Sequence, residues 1–89
     1  MTYRVEVTDA VARQLRKLPS SVREACDRAI VALGQEPRPH GCRKIAGTFN
    51  GWRAVVREDY QLLYTVDDGE RVVTVYWAGR KEKDTYKAN

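Results

Sequence analysis

Basic side chains collect in two stretches of this sequence. Between positions 43 and 57 stand Arg43, Lys44, Arg53 and Arg57 with no acid among them, and positions 80 to 87 hold Arg80, Lys81, Lys83 and Lys87 against Glu82 and Asp84. A guanidinium offers planar donors matched to phosphate oxygens, and an ammonium crowded by other cations can become a usable proton donor or acceptor. Residue types of this kind suit RNA cleavage without a metal, in which the RNA's own 2′-hydroxyl attacks the next phosphate. The protein then has to take a proton, give a proton and stabilise extra negative charge. Gln61 adds an amide donor between the two stretches and Tyr86 an aromatic ring near the end.

Other chemistries lack their residues. No glycine-rich phosphate loop or metal-ligand cluster is legible, so neither a cofactor nor a metal is expected. The single histidine, His40, sits between Pro39 and Gly41 and cannot supply paired-histidine ribonuclease chemistry. Asp67, Asp68 and Glu70 crowd one short segment with Gly69 and read as turn chemistry rather than as two-metal ligands.

The elements that must position these residues follow from periodicity. Tyr3, Val5 and Val7 alternate with Arg4 and Glu6, the pattern of a strand with one buried face. Thr8 or Asp9 can cap a helix carrying Val11, Leu15 and Leu18 on one side and ending at Pro19. Ser21 and Glu24 read as a capping box for a second helix, lined by Val22, Ala25, Cys26, Ala29, Ile30 and Leu33, with Gly34 placed to end it. Prolines and glycines from Gln35 to Gly51 mark a long loop. Strands are expected at 52–57, 60–66 and 72–78, the last two joined by an aspartate-glycine hairpin signal. The expected fold is α+β, in the order β-α-α-β-β-β, with two N-terminal helices packed on one face of a small antiparallel sheet. Alternation then puts Arg53, Val55 and Arg57 on one side of their strand, and Gln61 on the other side of its strand from Tyr60 and Leu62. If that side faces away from the helices, Arg53, Arg57 and Gln61 meet on an open basic surface.

At 89 residues there is room for one core, so residues 1–89 are read as one domain. Sixteen Lys plus Arg against twelve Asp plus Glu give a net charge of +4, which favours polyanionic partners. Cys26 falls in an apolar helical pattern and Cys42 in a loop, and with no leader pattern ahead of them a reducing cytoplasm is the expected compartment. No apolar run approaches the ~20 residues a membrane span needs.

The segments LPSSVREAC, RKIAG, GWRAVVREDYQLLYTVDDG and VYWAGRKEKDTYK, in this order and spacing, resemble the RelE/ParE toxin superfamily over nearly the whole chain. The resemblance implies a cognate antitoxin that wraps and neutralises the protein, operator DNA reached only through that antitoxin, and, for the RelE branch, cleavage of mRNA in the ribosomal A site. The basic ending that closes on an aromatic is similar to the RelE branch; the gyrase-directed ParE branch usually lacks it. Carried over by position, Arg53 matches a basic residue facing the RNA phosphate, while the next such position falls at Val55, so that Arg57 stands in. Where the family commonly reads Asp-Tyr-Arg, this chain has Asp59, Tyr60 and Gln61, which keeps a donor but loses a charge. Arg80 or Lys81, with Lys81 preferred by spacing from Gly79, matches the basic residue near the leaving group, and Tyr86 matches an aromatic that stacks on a base or helps proton transfer. Arg43, Lys44, Lys83 and Lys87 are left as RNA-contacting candidates. The resulting expectation is a ribosome-dependent mRNA endonuclease acting as a toxin. Two alternatives stand beside it: a catalytically weak relative that binds its antitoxin and serves operator autoregulation, and a gyrase inhibitor.

Overall fold

The structure, a computed structural model, describes residues 2–81. Its strands are β1 (Arg4–Val7), β2 (Arg43–Lys44), β3 (Gly51–Val56), β4 (Tyr60–Asp67) and β5 (Val72–Arg80), and its helices α1 (Asp9–Arg16) and α2 (Ser20–Gln35). The five strands form one sheet in the order β1-β5-β4-β3-β2. The α+β architecture is as expected, with one change of detail: β1 runs parallel to β5, so the sheet is mixed. The parallel pairing arises because α1 and α2 and the whole meander intervene between the two strands, which returns the chain in the same direction. The expected 35–51 loop also contains the two-residue strand β2.

Local signals explain most helix boundaries. Thr8 caps α1, its hydroxyl accepting from the Val11 amide at 3.2 Å. The second cap differs from expectation: it lies two residues earlier, at Pro19, with no side-chain hydrogen bond, so the Ser21–Glu24 capping box is not formed. Proline fits there because its fixed φ leads into a helix and its missing amide hydrogen would lack an intrahelical partner. Gly34 does not end α2, which runs on to Gln35. Instead it permits close approach to β1: a Cβ there would lie 3.1 Å from the Tyr3 carbonyl oxygen and 3.2 Å from Val5 Cγ2, and the Gly34 carbonyl accepts the Tyr3 amide at 2.7 Å.

The core lies between the helices and one face of the sheet. Leu62, Tyr64 and Val66 of β4, with Val73, Val75 and Ala78 of β5, meet Val11 and Leu15 of α1 and Val22, Cys26, Ile30 and Leu33 of α2, all buried. The Tyr64 hydroxyl, buried in this layer, donates to the Pro37 carbonyl at 2.8 Å, so the one polar atom on that ring is satisfied and ties the loop down. Burial pushes the Tyr64 hydroxyl pKa well above the usual phenol value.

Leu62 is fully buried in the central strand. Replacing it by Ala should cost about 2 to 5 kcal/mol through lost transfer energy and the cavity left behind. Urea denaturation of the two proteins measures this difference.

Candidate functional site

The register of the meander sorts side chains between the two faces. Arg53 pairs with Leu63 and Val55 with Gln61 across β3 and β4, while Leu63 pairs with Trp77 and Gln61 with Gly79 across β4 and β5. Because Leu62 and Ala78 point into the core, these residues occupy the opposite, open face. The pairing of β4 with β5 shifts by one residue between Leu63 and Tyr64, which leaves Tyr76 as an extra residue on β5. Ahead of this bulge the odd-numbered Val73 and Val75 are buried; beyond it the even-numbered Ala78 is. Arg80, two residues after Ala78, therefore falls on the helix side. Its guanidinium lies over the Tyr60 ring, 5.6 Å from the centroid. Lys81 falls on the open side.

On that open face a small pocket of about 60 Å³ is lined by Gly41, Arg43, Arg53, Val55 and Lys81. Three of the cations expected to meet phosphate thus converge, contributed by β2, β3 and the residue following β5. Arg43 stands directly opposite Arg53 in the β2–β3 register. Lys81 is held by its backbone, whose amide donates to the Asp59 carbonyl at 2.8 Å. Beside the pocket the Trp77 indole folds over Gly79, where an added Cβ would come within 2.9 Å of the ring.

The other expected site residues lie elsewhere. Arg57 does not share the open face with Arg53: β3 ends at Val56, and Arg57 has a φ of 62°, which breaks the strand alternation. Its Nη1 sits 3.5 Å from Ser21 Oγ, on the helix side. Gln61 is on the open side of β4 but 0% exposed, so its amide is covered rather than presented. Lys44, one residue from Arg43, faces the other way and donates to the Thr48 carbonyl at 2.6 Å. Tyr86, Lys83 and Lys87 lie outside the described residues. Among the described residues no group of His, Cys, Asp and Glu is placed to hold a metal ion, and no helix is long and apolar enough to cross a membrane.

A larger concavity of about 460 Å³ opens toward Arg38, Lys44, Phe49, Trp52, Val66 and Asp68. Sequence reasoning passed over it, because its residues come from four distant segments. Arg38 forks onto Asp68 with contacts of 3.2 and 2.8 Å and lies 5.3 Å from the Trp52 ring centroid. Asp68 also accepts the Tyr3 hydroxyl at 2.6 Å. The charge there is matched within the protein, and the Arg38 and Tyr3 hydrogen bonds hold the Asp68 carboxyl below its usual pKa. Such a neutralised wall is a poor phosphate site, whereas the described residues lining the small pocket include three cations and no acid.

The mRNA interferase toxin RelE of Escherichia coli is 30% identical to this chain over 84 residues, spanning 93% of this chain and 87% of the relative. The chain belongs to the RelE toxin family. No family model matches it. A second RelE toxin, from Mycobacterium tuberculosis, is 28% identical over 88 residues, spanning 98% and 89% of the two chains. RelE also matches in structure: the toxin of the intact E. coli RelBE toxin-antitoxin complex superposes with a TM-score of 0.77 at 29% identity, covering 91% of this chain and 99% of that one. The M. tuberculosis RelBE2 complex gives a TM-score of 0.79 at 25% identity, covering 91% and 100%.

Since the folded Asp68 carboxyl titrates below its ordinary value of 3.8, its stabilising contribution is present above that pH and fades as pH falls through the lower, folded value. Asp68→Asn should therefore be less stable than the unaltered chain near neutrality. The gap should close below about pH 3.8, as followed by denaturant melts across the pH range.

Proposed function

We propose that this chain is an mRNA interferase, the toxin of a toxin-antitoxin pair, that cuts mRNA in the ribosomal A site. The observation that carries the reading is the meeting of Arg43, Arg53 and Lys81 at one pocket on the sheet face away from the helices. A bent ribose-phosphate set there places its non-bridging oxygens against guanidinium donors, which strengthen as charge develops on them. The 2′-oxygen loses its proton to water and bonds to phosphorus; the bond from phosphorus to the 5′-oxygen breaks, and the Lys81 ammonium gives that oxygen a proton. The products are a 2′,3′-cyclic phosphate and a free 5′-hydroxyl, with Lys81 reprotonated from solvent. Tyr86 completes the site as a stacking platform for a base, a contact worth roughly 1 to 3 kcal/mol. Lys83 and Lys87 add phosphate contacts along the same strand of RNA.

A cognate antitoxin covers this face and holds the toxin inactive, and operator DNA is engaged through the antitoxin. The RelBE complexes that superpose on this chain support that partner class. Two features favour slow cleavage: Val55 offers methyl groups and Gln61 a covered amide where the family resemblance places cations. Losing one preorganised charge-stabilising donor costs on the order of a hundredfold or more in rate.

Replacing Arg53 and Lys81 together by Ala should abolish growth inhibition on induction and remove the new mRNA ends, while antitoxin binding stays largely intact. Mapping mRNA 5′ ends after induction, with co-purification of the antitoxin, checks both halves. Undiminished toxicity of the double variant rules out this site. Poisoning of DNA gyrase in place of mRNA cleavage rules out the activity.

A further inference from the structure

Trp77 stands on the open face of β5, in the row that runs from Arg53 of β3 through Leu63 of β4. Two strand spacings of roughly 4.8 Å each separate its backbone from that of Arg53. Gly79 is the next residue of β5 on the same face, and Lys81 follows it. The indole leans along the strand in the direction of Lys81: a Cβ added at Gly79 would lie 2.9 Å from its Cη2 and 3.1 Å from its Cζ2. Glycine at 79 therefore gives the ring its place, beside the pocket that Arg43, Arg53, Val55 and Lys81 line.

That segment of β5 is fixed on both sides of Gly79. The Ala78 amide donates to Gln14 Oε1 of α1 at 2.9 Å, and the Lys81 amide to the Asp59 carbonyl at 2.8 Å. An indole has only two side-chain torsions to lose, so it offers a large contact area at small entropic cost. The other tryptophan is differently employed: Trp52 packs against the core on the helix side of β3, with the Arg38 guanidinium 5.3 Å from its ring centroid. Trp77 is half-buried and belongs to the side of the sheet on which neither helix packs. Every base has a π face, so an aromatic ring there can hold a nucleotide without reading its identity.

We infer that Trp77 is a substrate-binding residue of the mRNA-cleaving site, on which the base immediately 3′ of the cut bond stacks. The inference rests on the reading given under Proposed function, in which Lys81 protonates the leaving 5′-oxygen. That oxygen belongs to the 3′ nucleotide, so this nucleotide lies at the Lys81 end of the pocket, on the β5 side, and its base falls beside the indole. Stacking holds the substrate and its transition state alike. Trp77 thus sets the affinity for the message and leaves the chemical step to the cations.

The test uses the full-length chain freed of its antitoxin, unaltered or as Trp77→Leu or Trp77→Phe, with thermal melts alongside. Cleavage is measured on ribosomes programmed with intact mRNA or with the same message lacking the base 3′ of the mapped cut. Trp77→Leu is expected to raise KM about tenfold or more on intact mRNA at similar kcat, and Trp77→Phe to recover most of the loss. On the abasic message the three proteins should cleave alike, because the ring has no base to hold. Equal KM for the unaltered chain and Trp77→Leu on intact mRNA overturns the inference, as does a loss of the same size on both messages, which marks a structural role. If Trp77→Leu melts below the assay temperature, the unaltered chain is sufficient: a KM raised about tenfold on the abasic message supports the stacking, and equal KM on the two messages overturns it. Full activity of the Arg53→Ala, Lys81→Ala double variant overturns the site reading and the stacking with it, whereas a crippled double variant beside an unaffected Trp77→Leu removes the stacking alone.

Discussion

The register of β4 between its two antiparallel neighbours decides where every other side chain of consequence goes. Leu62, Tyr64 and Val66 are buried under the helices, so Gln61, Leu63 and Thr65 are on the far face, and their partners on β3 and β5 follow. A slip of one residue would exchange the two sets, placing Arg53 in the core and Leu62 in water. The hydrophobic layer therefore does two tasks with one set of contacts: it holds the helices to the sheet and it fixes which cations face solvent together.

The two faces treat charge in opposite ways. Around the concavity at Arg38, each polar group has a partner inside the protein: Asp68 receives Arg38 and Tyr3, Lys44 meets a carbonyl, and Arg38 lies near Trp52. That cluster joins the residue before β1, the segment after α2 and the β4–β5 turn. At the small pocket, cations from β2, β3 and the end of β5 gather with no acid among the described lining residues. The first arrangement closes the structure; the second gathers side chains of one charge at a single opening.

Much of this was legible in the residues. Period-two alternation located β3, β4 and β5 and set Arg53 and Val55 on one side of β3, and the helical spacing of Val22, Cys26, Ile30 and Leu33 located α2; which side of β3 faces away from the helices is set by the packing. What alternation could not reveal was where it stops. Alternation alone carries Arg57 in the phase of Arg53, but a left-handed backbone directly after Val56 turns it toward α2. The parallel pairing of β1 with β5 joins residues nearly seventy positions apart, which no local pattern encodes. Gly34 carried the composition of a helix end, yet its role is close approach to β1, a tertiary constraint that outweighs its poor helix propensity. The burial of Gln61 was likewise hidden, because the open face is covered there by packing rather than by sequence polarity.

The extra residue at Tyr76 has a consequence for comparing members of the family. Downstream of it, odd and even positions exchange sides, so Arg80 and Lys81 are assigned to Tyr60 or to the open face by a single count. A relative lacking that insertion, with the same Gly-Arg-Lys spelling, would present the arginine and hide the lysine. Aligned letters in this segment then match chemically different surfaces, and the cation that reaches the open face can change between neighbours without any change in the motif itself.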